Sequence, residues 1–364
     1  MKEVLETSVE EKSITWSQRL RKQRKNIISG AVFLLLAGLT FYAIFHGNDM
    51  NAVADAAGKM NPVYLLLAVL SSVFFICAEG LIIWYLMYAV DKRAKILTCM
   101  RYSFIGFFFS GITPSASGGQ PAQIYYMNKE GMKLSECTVV LMTVATLYKF
   151  VLAVIGVIIL LFAHQELAGF FGSYIFLYYL GLALNVMIVA ILLLVMVRPK
   201  AFQSVAMHVQ RLLVRLHLLK PSKTREEKLT GFVSRYQETV QFFLNNKHRI
   251  VIAAILTALQ RISVFVLTYF IYLGFAMKGS TPMTVIMLQA AVYVAVEILP
   301  LPGAQGITEL MYRKVFAQVF PGNFLTASMC VTRSINFYFV MIISAAITLW
   351  CYIRGRMLRK ARTT

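Results

Sequence analysis

The chain has 364 residues, 59% of them hydrophobic and only 14% charged, a balance outside that of soluble globular domains. Its net charge of +20 does not point to nucleic acid, because Lys and Arg lie between apolar runs rather than on one soluble domain; they read as topology signals and contacts with anionic lipid. The five cysteines, at 77, 99, 137, 330 and 351, show no ligand spacing, so neither a disulfide framework nor a metal site is indicated.

Residues 1–26 form a basic tail ending in RLRKQRKN, expected on the cytoplasmic side, either solvated or touching the interface as a short helix. A first membrane unit, 27–197, opens with spans at about 27–45 and 63–90, followed by the basic loop DKRAKILTCMR. Next comes a broken segment near 102–128, with helical arms at about 102–112 and 121–128 around TPSASGGQPAQ (113–123). Each arm is too short to cross alone, since a crossing takes about 20 residues. Backbone that breaks at membrane depth must be buried in protein or line a wet cavity, so the segment is predicted to be a re-entrant hairpin. Spans at 134–163 and 174–197 follow, joined by a short loop at 164–173.

Residues 198–249 are a basic cytoplasmic segment. Phe202, Val205, Val209, Leu212, Leu213, Leu216 and Leu219, and then Leu229, Phe232, Val233, Tyr236 and Val240, recur at helical spacing. They predict two amphipathic helices, lying on the inner leaflet or packed beneath the bundle. The second unit, 250–353, has a span at 250–274, an apolar helix at 283–299, a break at LPLPGAQGITE (299–309), a returning arm to about 320 and a span at 324–353, before a basic tail at 354–364. The span at 63–90 is followed by a basic loop, whereas the one at 250–274 is followed only by Lys278; the units should therefore be inverted. The predicted fold is all-α: a polytopic transmembrane bundle of about six full spans plus two re-entrant helical hairpins, in an inverted repeat. Of the 36 basic residues, 29 then fall on inside segments, against Lys59 and Lys278 outside, which places both termini in the cytoplasm.

Two broken helices, one in each half, point to a transporter's binding site. Each second arm would start at membrane depth after a glycine, Pro121 after Gly118 and Gly119, and Ile307 after Gly306, presenting N–H groups to an anion. Ionisable residues at membrane depth cost roughly 2.5–3.5 kcal/mol each on insertion scales; here they are Glu79, Lys149, Arg261, Glu297, Glu309 and Arg333. Lys149 and Arg333 follow their breaks at similar spacing and occupy matching places in the repeat. They either hold a substrate phosphate or form structural ion pairs with Glu79, Glu297 or Glu309. Arg261 has no counterpart in the other unit and reads as structural, with Glu79 and Glu297 as possible ion-pair partners. Ser115, Ser117, Gln120 and Gln123 either bond a head group or satisfy the hairpin's own backbone. Gly303 and Glu309, at the second break, are also candidate head-group contacts. No P-loop, GxSxG or HExxH occurs, so no hydrolytic or metal chemistry and no cofactor is expected.

TPSASGGQPAQIYYM with Lys149 after it, and PLPGAQGITELMY with Arg333 after it, resemble the flippase-like transmembrane domain of the lysylphosphatidylglycerol synthase family, over about residues 25 to 353. Gln120 stands where relatives often have Glu, Lys149 where they often have Arg, and PGAQGITE replaces a glycine-richer PGGxGxxE. The resemblance implies a protein of the bacterial cytoplasmic membrane that moves a lipid such as lysylphosphatidylglycerol to the outer leaflet, a step linked to resistance against cationic peptides. Bifunctional members add a soluble domain that transfers lysine from tRNA. With no such domain expected here, phosphatidylglycerol lysyltransferase activity is the alternative rather than the leading reading. The leading expectation is a translocator of anionic phospholipid or polyprenyl phosphate. A scaffold whose 198–249 segment recruits a membrane or cytoplasmic protein partner is the third.

Overall fold

In a computed structural model, residues 54–55, 57–91, 94–113, 116–198, 223–299, 304 and 306–360 are described. All regular structure among them is helical. The first unit comprises α1 (Pro62–Val90), α2 (Ile96–Gly111), α3 (Gly119–Lys129), α4 (Leu134–Phe162), α5 (His164–Phe171) and α6 (Ile175–Val197). Helix α7 (Lys223–Asn245) links it to α8 (Lys247–Gly274), α9 (Pro282–Val296), α10 (Ile307–Val315), α11 (Asn323–Arg333) and α12 (Val340–Lys360). A π-helical turn, Ser334–Phe339, joins α11 to α12.

Among the described residues, five helices are long and apolar enough to cross a membrane: α1, α4, the α5–α6 run, α8 and the α11–α12 run. They fall on the five predicted spans from 63–90 onward; the predicted span at 27–45 lies outside the described residues. Their outer faces carry large apolar side chains such as Phe74, Leu161, Met187, Ile255 and Ile342 exposed, the surface that lipid tails cover in a membrane protein. Helix starts follow local chemistry. Pro62 and Pro282 occupy first turns, behind Asn61 and Thr281, whose side chains accept the Val63 and Thr284 N–H groups.

Among the described helices, α1 and α8 pack against each other more extensively than any other pair. The Asn61 N–H donates to the Gly274 carbonyl at 2.9 Å, the Gln260 amide to the Phe75 carbonyl at 3.1 Å, and the Arg249 guanidinium lies 5.8 Å from the centre of the Tyr85 ring. Moving up one helix matches moving down the other, so the two are antiparallel, as inverted units require. The hairpins α2–α3 and α9–α10 cross between units: α2 packs on α12, and α9 on α4 and α6.

Three predicted boundaries differ. Helix α2 starts at Ile96, six residues before the predicted arm, because Arg101 and Tyr102 both bond Glu130 and belong to the hairpin rather than the basic loop. Helix α3 starts at Gly119, so Pro121 sits third rather than first, still within the turn whose N–H groups lack helical partners. The predicted loop at 164–173 holds a helix, α5, which buries Leu167 and Phe171, spaced i,i+4. Of the two amphipathic helices, 202–219 lies outside the described residues. The second corresponds to α7, and Tyr236, Val240 and Phe243 bury their stripe against the cluster around Val140 and Leu141, the arrangement beneath the bundle.

Close approach of α9 to α6 depends on Gly181, where an added Cβ would stand 2.2 Å from the Val294 carbonyl oxygen. Backbone cannot yield there, so Gly181→Ala should destabilise the protein by about 1–3 kcal/mol. Gly169→Ala, whose Cβ meets nothing within 4 Å, should be neutral or stabilising by up to about 1 kcal/mol, from helix propensity. Thermal unfolding in detergent separates the two; equal midpoints would contradict the close packing.

Candidate functional site

Each hairpin turns through a strained residue. Ala116 has φ of 54° and Ala304 of 49°, a left-handed conformation costing on the order of 1–3 kcal/mol for a side chain with Cβ. Both alanines stand two residues before the glycine that precedes the second arm, Gly118 and Gly306. In the first hairpin the Gly118 N–H donates to Thr113 Oγ1 at 2.9 Å, and no side chain caps α3. In the second, Glu309 Oε2 accepts the Gly306 N–H at 2.7 Å. One helix start is thus open, while the other already holds a carboxylate of its own.

Glycines let the arms of the first hairpin cross closely. An added Cβ would stand 2.2 Å from Gln123 Nε2 at Gly106, and 2.1 Å from Ser110 Oγ at Gly119. Gln123 passes over Gly106 and donates to Glu79 Oε1 at 2.8 Å.

Glu297, at the end of α9, binds two cations, one on each oxygen. Lys149 Nζ is 2.6 Å from Oε1, and Arg261 NH1 is 2.7 Å from Oε2. Arg261 is wholly buried, with its guanidinium carbon 3.4 Å from the centre of the Tyr148 ring, so cation–π attraction and the carboxylate together replace its hydration. At the matching place in the second unit, Arg333 Nε lies 2.6 Å from Glu309 Oε1 and the guanidinium faces the Phe337 ring. Arg333 ends α11 immediately before the π-helical turn, and Asn336 in that turn bonds the Tyr293 hydroxyl. Such turns frequently mark functional sites.

Around these groups lies a cavity of about 480 Å³, within the range of small-molecule sites. Both hairpins and both matched cations line it: Ser117, Gly119, Gln120 and Gln123 from the first break and α3, Thr308 from α10, and Lys149 and Arg333. Glu79, Tyr148, Tyr293, Glu297 and Asn336 complete its polar wall, and Gly106, Phe107, Ile188, Leu192 and Phe337 supply apolar surface.

The predicted residues distribute as follows. Ser117, Gly119, Gln120, Gln123, Lys149, Arg333, Glu79 and Glu297 meet at the cavity; Gly118, Gly306 and Glu309 do not line it and make the bonds described above. Ser115 and Gly303 lie outside the described residues. Arg261 does not line the cavity and pairs with Glu297. Two expectations require correction. Gln123, expected to bond either a head group or its own hairpin's backbone, donates to the Glu79 side chain on α1, where Gly106 leaves it room to pass. Glu79 therefore faces a neutral amide, and among the described residues no Lys or Arg lies within ion-pairing distance of it. Asn336, Tyr293 and Thr308 were missed, since polar residues within apolar helices carry no spacing signal.

The sequence matches the family described as the lysylphosphatidylglycerol synthase TM region over residues 26–344. The chain belongs to this family of membrane proteins. A relative, the UPF0104 membrane protein PH1989 of Pyrococcus horikoshii, is 23% identical over 253 residues, covering 68% of this chain and 74% of that protein. Both breaks, both matched cations and Glu79 fall inside the lysylphosphatidylglycerol synthase TM region.

Because Glu297 serves two cations, its loss and that of Lys149 should differ. Glu297→Gln strands the buried Arg261 without its counter-ion and should cost about 3–5 kcal/mol. Lys149→Gln leaves the Arg261–Glu297 pair intact and strands no buried charge, so it should cost clearly less, about 1 kcal/mol. Thermostability by fluorescence-detected size exclusion reads both; equal losses would contradict the shared carboxylate.

Proposed function

We propose that the protein is a lipid translocator that moves a phosphate-bearing lipid, such as phosphatidylglycerol, its lysyl derivative or a polyprenyl phosphate, between leaflets. The observation that carries this reading is the convergence of both broken hairpins and both matched cations on one cavity of head-group size. The uncapped start of α3 offers N–H groups and a positive dipole end to a phosphate. Lys149 can exchange Glu297 for that phosphate without exposing a bare charge, because Arg261 keeps the carboxylate neutralised. The tails would remain in lipid while the head group crosses, and rocking of one unit against the other would open the cavity to each leaflet in turn. The bacterial cytoplasmic membrane, with both termini inside, agrees with the distribution of Lys and Arg.

The mutual pairing of the cations favours a second reading, a non-transporting scaffold. A cavity of this volume between the pairs has no role in that reading, so translocation accounts for more of the structure. Lysine transfer from tRNA gains no support from the site, which brings together no nucleophile and base among the described residues.

The test is leaflet exchange of fluorescent phosphatidylglycerol, lysylphosphatidylglycerol and polyprenyl-phosphate analogues in proteoliposomes. Lys149→Gln should reduce exchange of the transported analogue at least tenfold while the protein stays folded. Arg333→Gln combined with Glu309→Gln, which removes the second pair without leaving a lone buried charge, should do the same. Exchange unchanged in both would overturn the site, and no exchange of any analogue by the wild type would favour the scaffold.

A further inference from the structure

The cavity's charges do not all balance in pairs. Lys149 and Arg261 share the single carboxylate of Glu297, which leaves one positive charge in excess. Arg333 and Glu309 cancel. Glu79 is the remaining ionisable carboxyl on the wall, and its bonded partner is the neutral Gln123. With Glu79 ionised the set is neutral; with Glu79 protonated it carries one net positive charge.

The surroundings allow Glu79 to hold either form. Gln123 donates to Oε1, leaving Oε2 to carry a proton or face the cavity. The elements packed on α1 place Arg261 on α8, Tyr148 and Lys149 on α4, and Tyr338 in the π-helical turn, while Arg101 and Tyr102 on α2 are engaged with Glu130. Across the cavity stand Tyr293 and Glu297 on α9 and Arg333 on α11. The acids in this set, Glu297 and Glu309, each hold a cation at 2.6–2.7 Å; a buried carboxylate without such a partner is costly. Glu79 is thus the group whose charge can change without breaking an ion pair.

Building on the translocator reading, we propose that Glu79 is a proton-binding site coupled to cavity occupancy: protonated Glu79 admits one monoanionic phosphodiester head group, and deprotonation expels it. The proton binds Oε2 of Glu79 and leaves to water when the head group departs, so lipid and proton cross together and the loaded cavity is electrically neutral. A monoanion matches the single excess charge. A phosphomonoester dianion would exceed it, and a zwitterionic head group would gain nothing from the proton.

The experiment is equilibrium binding of fluorescent phosphatidylglycerol to the full-length protein in detergent between about pH 5.5 and 8.5, with fluorescent phosphatidylcholine as the zwitterionic comparison. For the wild type, phosphatidylglycerol affinity should fall with rising pH, approaching tenfold per unit where Glu79 titrates. Glu79→Gln keeps the shape and charge of the protonated carboxyl, so it should bind with wild-type low-pH affinity at every pH; Glu79→Met should also be flat if the amide disturbs the Gln123 bond. Phosphatidylcholine binding should not vary with pH. A slope that persists in both variants, or wild-type binding with no slope, would overturn the role of Glu79 while leaving the lipid site standing. Absence of phosphatidylglycerol binding at all pH values would overturn the lipid site itself.

Discussion

A single carboxylate at membrane depth organises the centre of this protein. Glu297 neutralises both Lys149 from the first unit and Arg261 from α8, groups that lipid could not solvate and that would be too costly to bury alone. Because its two oxygens serve different helices, the end of α9 is fixed relative to α4 and α8 together. The second hairpin repeats the device locally, with Glu309 joining its own tip to Arg333. Charge thus locates the hairpins, while glycines such as Gly119 and Gly181 let backbone approach closely enough for those pairs to form.

Placing the hairpins at the centre creates the cavity. Two short helices that stop at membrane depth leave space beyond their ends, and Ser117, Gly119 and Gln120 from the first break with Ala304 and Thr308 from the second line that space, the setting that broken backbone at membrane depth requires. The antiparallel contact of α1 with α8 makes the arrangement two-sided. Each hairpin rests against helices of the opposite unit, so motion of one unit alters both walls of the cavity.

Much of this was legible in the sequence because apolar runs of spanning length are unambiguous, and the two Gly–Pro breaks stood out against them. Inversion followed from the contrast between DKRAKILTCMR and the lone Lys278. What was not legible depended on contacts between distant segments. The basic residues of DKRAKILTCMR suggested loop as far as Arg101, yet Glu130 draws Arg101 into the hairpin. Acids at 79, 297 and 309 were equal candidates for Lys149, and only packing across 148 residues selects Glu297. The Gln123–Glu79 bond requires Gly106 to stand aside, a relation visible only once the arms are folded together. Helix α5 escaped notice because its buried stripe is just Leu167 and Phe171.

The central claim is that a lipid head group occupies the space between the two hairpins, and photocrosslinking tests it most directly. A phosphatidylglycerol analogue with a photoreactive group on its head group would be bound to the full-length protein, irradiated, and the labelled peptides mapped by mass spectrometry. Labelling concentrated on the segment around Ser117–Gln123 and on that around Thr308, and competed by unlabelled phosphatidylglycerol, is the predicted result. Labelling confined to the lipid-facing residues of α6 and α12, such as Met187 and Ile342, would contradict it.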